Sequence, residues 1–200
     1  MFQSPPIRQW NAPGAVSMAL LLCLASTAQG QAAFDGSRVA SRFSLLVAPT
    51  YAFPAGDGFE GTDSHLGIRL TGTIPWANRL AFAVTFQYQP LGIASPAEVD
   101  IQKYLGGFHY LDDVKQQVTI YGSYDIGAFV TRKVEVLSTG LAESTSTRLG
   151  MAGGVGIIYW TSPQIGVDLS ARIEQTSFKS NQASASGYLF DLHAGIRVPL

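Results

Sequence analysis

The stretch LTGTIPWANRLAFAVTFQYQ, Leu70 to Gln89, constrains the fold more than any other. Leu70, Gly72 and Ile74 alternate with Thr71 and Thr73, and the chain then turns through Pro75-Trp76-Ala77-Asn78. On the return, Leu80, Phe82, Val84, Phe86 and Tyr88 alternate with Ala81, Ala83, Thr85 and Gln87. A period of two on both sides of a tight turn is a β-hairpin with one apolar face. The pattern recurs along the chain and predicts strands over 41–53, 64–74, the return leg from Leu80, about 99–110, 117–130, 148–159, 165–175 and 188–200. These eight runs of roughly 11 to 14 residues are long enough to cross a bilayer as tilted strands.

The connections alternate in length. Pro75–Asn78, Leu111–Gln116 and Thr161–Gln164 are short, while Pro54–Asp63, Pro90–Glu98, Arg132–Thr147 and Thr176–Gly187 are expected as long loops. Short turns on one side and long loops on the other is the layout of a transmembrane barrel. An even strand count places both chain ends on the short-turn side.

The alternative is a soluble up-and-down barrel, in which the apolar face fills the interior. Composition decides between them. Charged residues make up 14% of the chain and hydrophobic ones 46%, whereas an ordinary soluble chain carries about 25% charged residues. The polar faces are mostly Gly, Ala, Ser and Thr, as at Gly150, Ala152, Gly154 and Gly156 opposite Leu149, Met151, Val155 and Ile157. Small residues suit the crowded lumen of a narrow barrel and make a poor solvent face. Aromatics gather at both strand ends: Trp76, Tyr110, Tyr159 and Trp160 beside the short turns, and Tyr51, Phe53, Tyr88 and Tyr188 beside the long loops. Two such girdles mark membrane interfaces. The predicted fold is all-β, an eight-stranded antiparallel up-and-down transmembrane β-barrel.

Residues 1–30 read as a secretory signal. Arg8 precedes the apolar run Ala15 to Ala25, which is too short to span a bilayer, and Ala28-Gln29-Gly30 offers small residues for cleavage near Gly30, with Ala32 as a second candidate. Residues 31–200 then form the barrel domain. Cys23, the one cysteine, lies within the signal, so the mature chain is expected to hold no disulfide. A net charge of −1 gives no case for nucleic acid.

Over roughly residues 38–200 the pattern resembles the small eight-stranded bacterial outer-membrane proteins, the OmpA-like, OmpX-like and OmpW-like barrels. The last strand, YLFDLHAGIRVPL, keeps the family's alternation but ends in Leu200 after Pro199, where the family usually ends in an aromatic. The resemblance implies an outer-membrane location. It also implies outer-membrane lipid and lipopolysaccharide as surroundings, the barrel-assembly machinery as a partner during biogenesis, and a possible extracellular partner at the long loops. No cofactor and no catalysis are expected. Further readings are a narrow channel for small or hydrophobic solutes, a lipid-modifying enzyme and a lipocalin-like binding barrel.

Arg42, Arg69, Asp125, Arg148, Asp168, Arg172, Glu174, Asp191 and Arg197 fall on polar faces, with His193 beside them. Charges in a narrow lumen must pair, so a salt-bridged plug is expected, with Arg172 near Asp191 and Asp168 near Arg197. Asp191, His193 and Ser170 share a face and have the residue types of a hydrolytic triad, but they point inward, away from any lipid substrate. His65 lies near the outer rim beside Asp63 and Ser64, and His109 lies at the other end, so the histidines make no metal-ligand spacing. Gly150–Gly156 is better explained by close strand packing than by nucleotide binding.

Overall fold

Threonine, β-branched and aromatic side chains dominate the alternating segments, and each segment is a strand in the computed structural model. It describes residues 42–56, 62–77, 79–93, 97–115, 117–137, 140–180 and 183–200. The signal reading of residues 1–30 and the carboxylates Asp57 and Glu60 fall outside the described residues. The strands are β1 Ser44–Ala55, β2 Thr62–Ser64, β3 Leu66–Ala77, β4 Leu80–Ile93, β5 Ala97–Lys115, β6 Val118–Leu137, β7 Gly140–Ser162, β8 Ile165–Ser180 and β9 Ala183–Pro199.

Every neighbouring pair is antiparallel. β1 pairs with both β3 and β9, and β4 pairs with β5, so the sheet closes on itself. His65 alone separates β2 from β3, and both pair with β4, so they count as one wall strand and the ring has eight. Closure leaves no free edge around the body of the barrel, which is how a sheet satisfies its backbone in lipid.

The alternation is inside-out. Along β1, Ser44, Leu46, Ala48, Thr50 and Ala52 are buried while Leu45, Val47, Tyr51 and Phe53 are exposed. In the hairpin 70–89, Leu70, Ile74, Phe82 and Val84 point outward, while Thr71, Thr73, Ala81, Ala83, Thr85 and Gln87 are buried. A soluble barrel would reverse this assignment. Among the described residues no helix is long and apolar enough to cross a membrane; the strands present the apolar wall.

Three expected long loops are corrected. β4 runs to Ile93 and β5 starts at Ala97, β6 and β7 continue through most of Arg132–Thr147, and β8 and β9 continue through most of Thr176–Gly187. Leu137 pairs with Gly140 and Ser180 with Ala183. Gly, Pro, Ser and Thr crowd these segments and read as loop, although the antiparallel ladders continue through them. Past Gly150↔Thr176 the ladder between β7 and β8 ends, so the β6–β7 and β8–β9 hairpins part at the rim. Leu111–Gln116 is likewise mostly strand, since β5 reaches Lys115.

On the short-turn side the chain reverses between Ala77 and Leu80 with Arg79 in the left-handed region at φ 78°. Its guanidinium donates to Tyr110 Oη at 3.3 Å and pairs with Asp112 at 3.3 Å. The contacts hold a non-glycine residue in a conformation that side chains seldom adopt.

The first and last strands meet along Leu45↔Val198 to Ala55↔Tyr188, with Leu200 N donating to Phe43 O at 2.8 Å. This ladder skips Ala48 and Pro49 at mid-wall. Proline has no backbone N–H to give.

Candidate functional site

Among the described residues the lumen holds four buried cations, Arg69, Lys103, Arg172 and Arg197, and four buried carboxylates, Asp125, Asp168, Glu174 and Asp191. With the histidines neutral, these formal charges cancel. A closed barrel interior tolerates ions only in such compensated sets.

Toward the rim, Lys103 Nζ lies 2.5 Å from Glu174 Oε2 and 3.1 Å from Asp191 Oδ2. Gln87 Nε2 donates to the same Asp191 oxygen at 2.6 Å. In the next layer, Arg172 Nη2 donates to Asp125 Oδ2 at 2.5 Å, and His109 lies 3.8 Å from Asp125. Arg69 donates to the hydroxyls of Thr71 and Thr85 at 3.0 and 3.4 Å. Toward the short turns, Arg197 grips Asp168 Oδ2 through Nε at 2.9 Å and Nη2 at 2.8 Å. Its Nη1 donates to Ser44 and Thr73 at 3.0 Å each. Tyr121 Oη donates to Asp168 at 2.8 Å and stacks on His109 at 5.5 Å.

Apolar side chains are packed among these layers: Ala52 stands opposite Asp191, Leu189 opposite Glu174 and Ile158 opposite Asp168. Ala52, Leu91, Val99, Ile101, Leu105, Phe129, Ala152 and Leu189 pack together on the rim side. Ala81, Leu111, Tyr121, Ile158 and Trp160 pack together on the turn side. A small cleft at the turn end is lined by Arg42, Ser44, Thr73, Thr119 and Arg197, among others.

The structure places the predicted residues as follows. Arg69, Asp125, Asp168, Arg172, Glu174, Asp191, His193 and Arg197 all lie inside and are buried. Arg148 is half-buried on the inward face near the rim, and Arg42 is exposed at the mouth beside the turns. Asp168 pairs with Arg197. Arg172 stands opposite Asp191 in the ladder, yet its guanidinium crosses to Asp125 while Asp191 goes to Lys103. Side chains in a tight lumen reach across the bore as easily as along the wall. Lys103 was not anticipated; continuing the alternation of β5 through Leu105 and His109 points it inward.

Trp160 is corrected. It is 3% exposed, belongs to the lumen and donates from Nε1 to Thr119 Oγ1 at 3.0 Å. Its neighbour Tyr159 faces outward, and strand alternation forbids both from sharing a face. Trp76, Tyr110, Tyr51, Phe53 and Tyr188 are exposed on the outer wall. Tyr88 is half-buried there, with its hydroxyl donating to Asp100 at 2.9 Å.

The hydrolytic trio takes a different form. Ser170 Oγ lies 2.9 and 2.7 Å from Nδ1 and Nε2 of His193. The carboxylate beside that ring is Asp168, at 3.5 Å, not Asp191. His193 is buried, and Asp168 is held by Arg197 and Tyr121, so the group serves the lumen network. His65 is exposed in the break between β2 and β3; its carbonyl accepts from Gln89 Nε2 at 2.6 Å. Among the described residues no three His, Cys, Asp or Glu side chains are arranged to hold a metal ion.

On the rim, Arg132 forks onto Glu143 through Nε at 2.6 Å and Nη2 at 3.1 Å. The hydrogen bond and then the charge of Arg132 hold the Glu143 carboxyl below its ordinary range. A depressed acid stabilises the folded hairpin above its unfolded pKa and loses that contribution as pH falls through the folded value. The protection factors of the β6–β7 hairpin amides, exchange rates corrected for their intrinsic pH dependence, are therefore expected to fall below about pH 4, where an unperturbed Glu protonates. In Glu143→Gln the same amides should show no such step.

This is the fold of the small eight-stranded outer-membrane barrels. Among solved structures, neisserial surface protein A (NspA) superposes with a TM-score of 0.65 at 20% identity, over 79% of this chain and 97% of that one. The attachment invasion locus protein Ail of Yersinia pestis, solved with the heparin analogue sucrose octasulfate, gives 0.54 at 16% identity, over 78% and 97%. The outer membrane protein OprG of Pseudomonas aeruginosa gives 0.51 at 13% identity, over 80% and 96%. No family model matches the sequence. No curated protein matches it either.

Proposed function

We propose that the protein is an integral barrel of the bacterial outer membrane with a structural or surface-interaction role, a closed polar lumen and no catalysis. The observation that carries this reading is the filled bore: among the described residues four buried cations match four buried carboxylates, with buried apolar side chains packed among them. Ion passage would require separating pairs that a low-dielectric interior holds tightly. The surrounding partners are outer-membrane lipid and lipopolysaccharide, with the barrel-assembly machinery acting during biogenesis. The parted β6–β7 and β8–β9 hairpins are where an extracellular partner would dock, since recognition concentrates in such projecting segments.

The test is electrical. Purified protein in planar bilayers is expected to give no discrete conductance steps above the bare membrane. Sustained steps from the wild type would overturn the closed lumen and favour the narrow channel.

A further inference from the structure

The outward apolar face is not equally tall all round. On β6 it runs from Ile120 to Val130, on β7 from Leu149 to Tyr159, and on β9 from Tyr188 to Val198. Each is ten residue steps, about 34 Å along a strand at ~3.4 Å per residue. At a tilt of ~40° this projects to about 25 Å, the usual height of the apolar band.

On β5 the outward apolar run extends only from Tyr104 to Tyr110, six steps, or about 15 Å on the same projection. The ladder shows what shortens it. Gln102 stands opposite Val130, and Asp112 stands opposite Ile120, so polar groups occupy the first outward position beyond the run at each end. These groups are tied to the wall. Tyr104 Oη donates to Gln102 Oε1 at 3.0 Å, and Tyr88 Oη on β4 donates to Asp100 Oδ1 at 2.9 Å. At the lower edge Asp112 pairs with Arg79 at 3.3 Å, and Arg79 also donates to Tyr110 Oη.

We infer that the outward face of β5 is a thinned sector, where lipid headgroups descend onto Asp100, Gln102 and Tyr104, with Tyr88 of β4 beside them, and the bilayer narrows to meet them. A carboxylate and an amide cannot sit among acyl chains without large cost. A bilayer adapts to a short wall by local thinning. The occupant is lipid rather than protein because the polar groups at both edges are already satisfied by their own wall. A short apolar strip between two polar edges presents little of the apolar core that a protein interface needs. The inference rests on the chain spanning a membrane.

Full-length mature protein is folded into phosphatidylcholine vesicles of increasing acyl length, and folding yield is read by the heat-modifiable gel shift. Wild type should have its optimum in thin bilayers, and the double variant Asp100→Leu, Gln102→Leu should shift that optimum to longer chains. An unchanged optimum overturns the thinned sector, and failure to enter any vesicle overturns the membrane reading itself. A second measurement needs no apolar substitution. In Gln102→Trp, the added fluorescence should be quenched by aqueous iodide and by lipids brominated near the headgroup. Quenching confined to deeply brominated chains would overturn the inference, as would disulfide-linked pairs formed in the membrane through Gln102→Cys.

Discussion

Replacing Lys103 with methionine is expected to destabilise the barrel by about 3–5 kcal/mol, the range for removing one partner of a buried ionic group. The ammonium is fully buried and touches both Glu174 and Asp191. Arg172 does not substitute for it, because its guanidinium is committed to Asp125. Without Lys103 the two carboxylates are left facing each other with an unbalanced charge, and the Gln87 amide serves Asp191 alone. Urea unfolding in lipid vesicles, followed by tryptophan fluorescence, measures the loss. The double variant Lys103→Met, Glu174→Gln should recover most of it, since it leaves three buried cations against three buried carboxylates. A Lys103→Met midpoint equal to wild type would show that the layer is not an obligate ion pair.

The second large effect lies at the seam. A Cβ at Gly195 would stand 2.4 Å from Ala48 Cβ and 2.4 Å from Val47 O, too close for either to remain in place. One of these obstacles is backbone, so the strands themselves must separate. Gly195→Ala is expected to cost about 1–3 kcal/mol and to lower the folded fraction in vesicles. Gly122→Ala is the control: nothing lies within 4 Å of its added Cβ, and its folding should match wild type. Equal folding of the two variants would remove the seam from the account.

The alternation made the wall legible from sequence because a strand with lipid on one side and a packed lumen on the other must repeat every two residues. That argument places Arg69, Asp168 and Arg197 inside and Phe82 and Phe108 outside without any coordinates. It fails where turn-forming residues crowd a strand. Toward the rim, Arg132–Thr147 is rich in Ser and Thr and reads as loop although it is mostly strand. Inside the lumen, Ile101, Leu105, Phe129 and Leu189 are apolar, so polarity alone does not mark inward positions on β5, β6 and β9. That masking is why Lys103 was missed. The pairing of Arg172 with Asp125 depends on side chains crossing the bore between strands that are not neighbours, which no local pattern encodes.

The seam between β1 and β9 also governs when the ring can exist. Its contacts join residues more than a hundred positions apart, such as Leu45 and Val198. Folding slows when the defining contacts are this distant in sequence. Because Leu200 N supplies a bond to Phe43 O, the circle is complete only once Leu200 is in place. The Ala48–Pro49 break divides the seam into two short zippers that must both engage, and both must release before the ring reopens. Persistence of the closed barrel is thus a matter of time, set by how rarely both zippers part together.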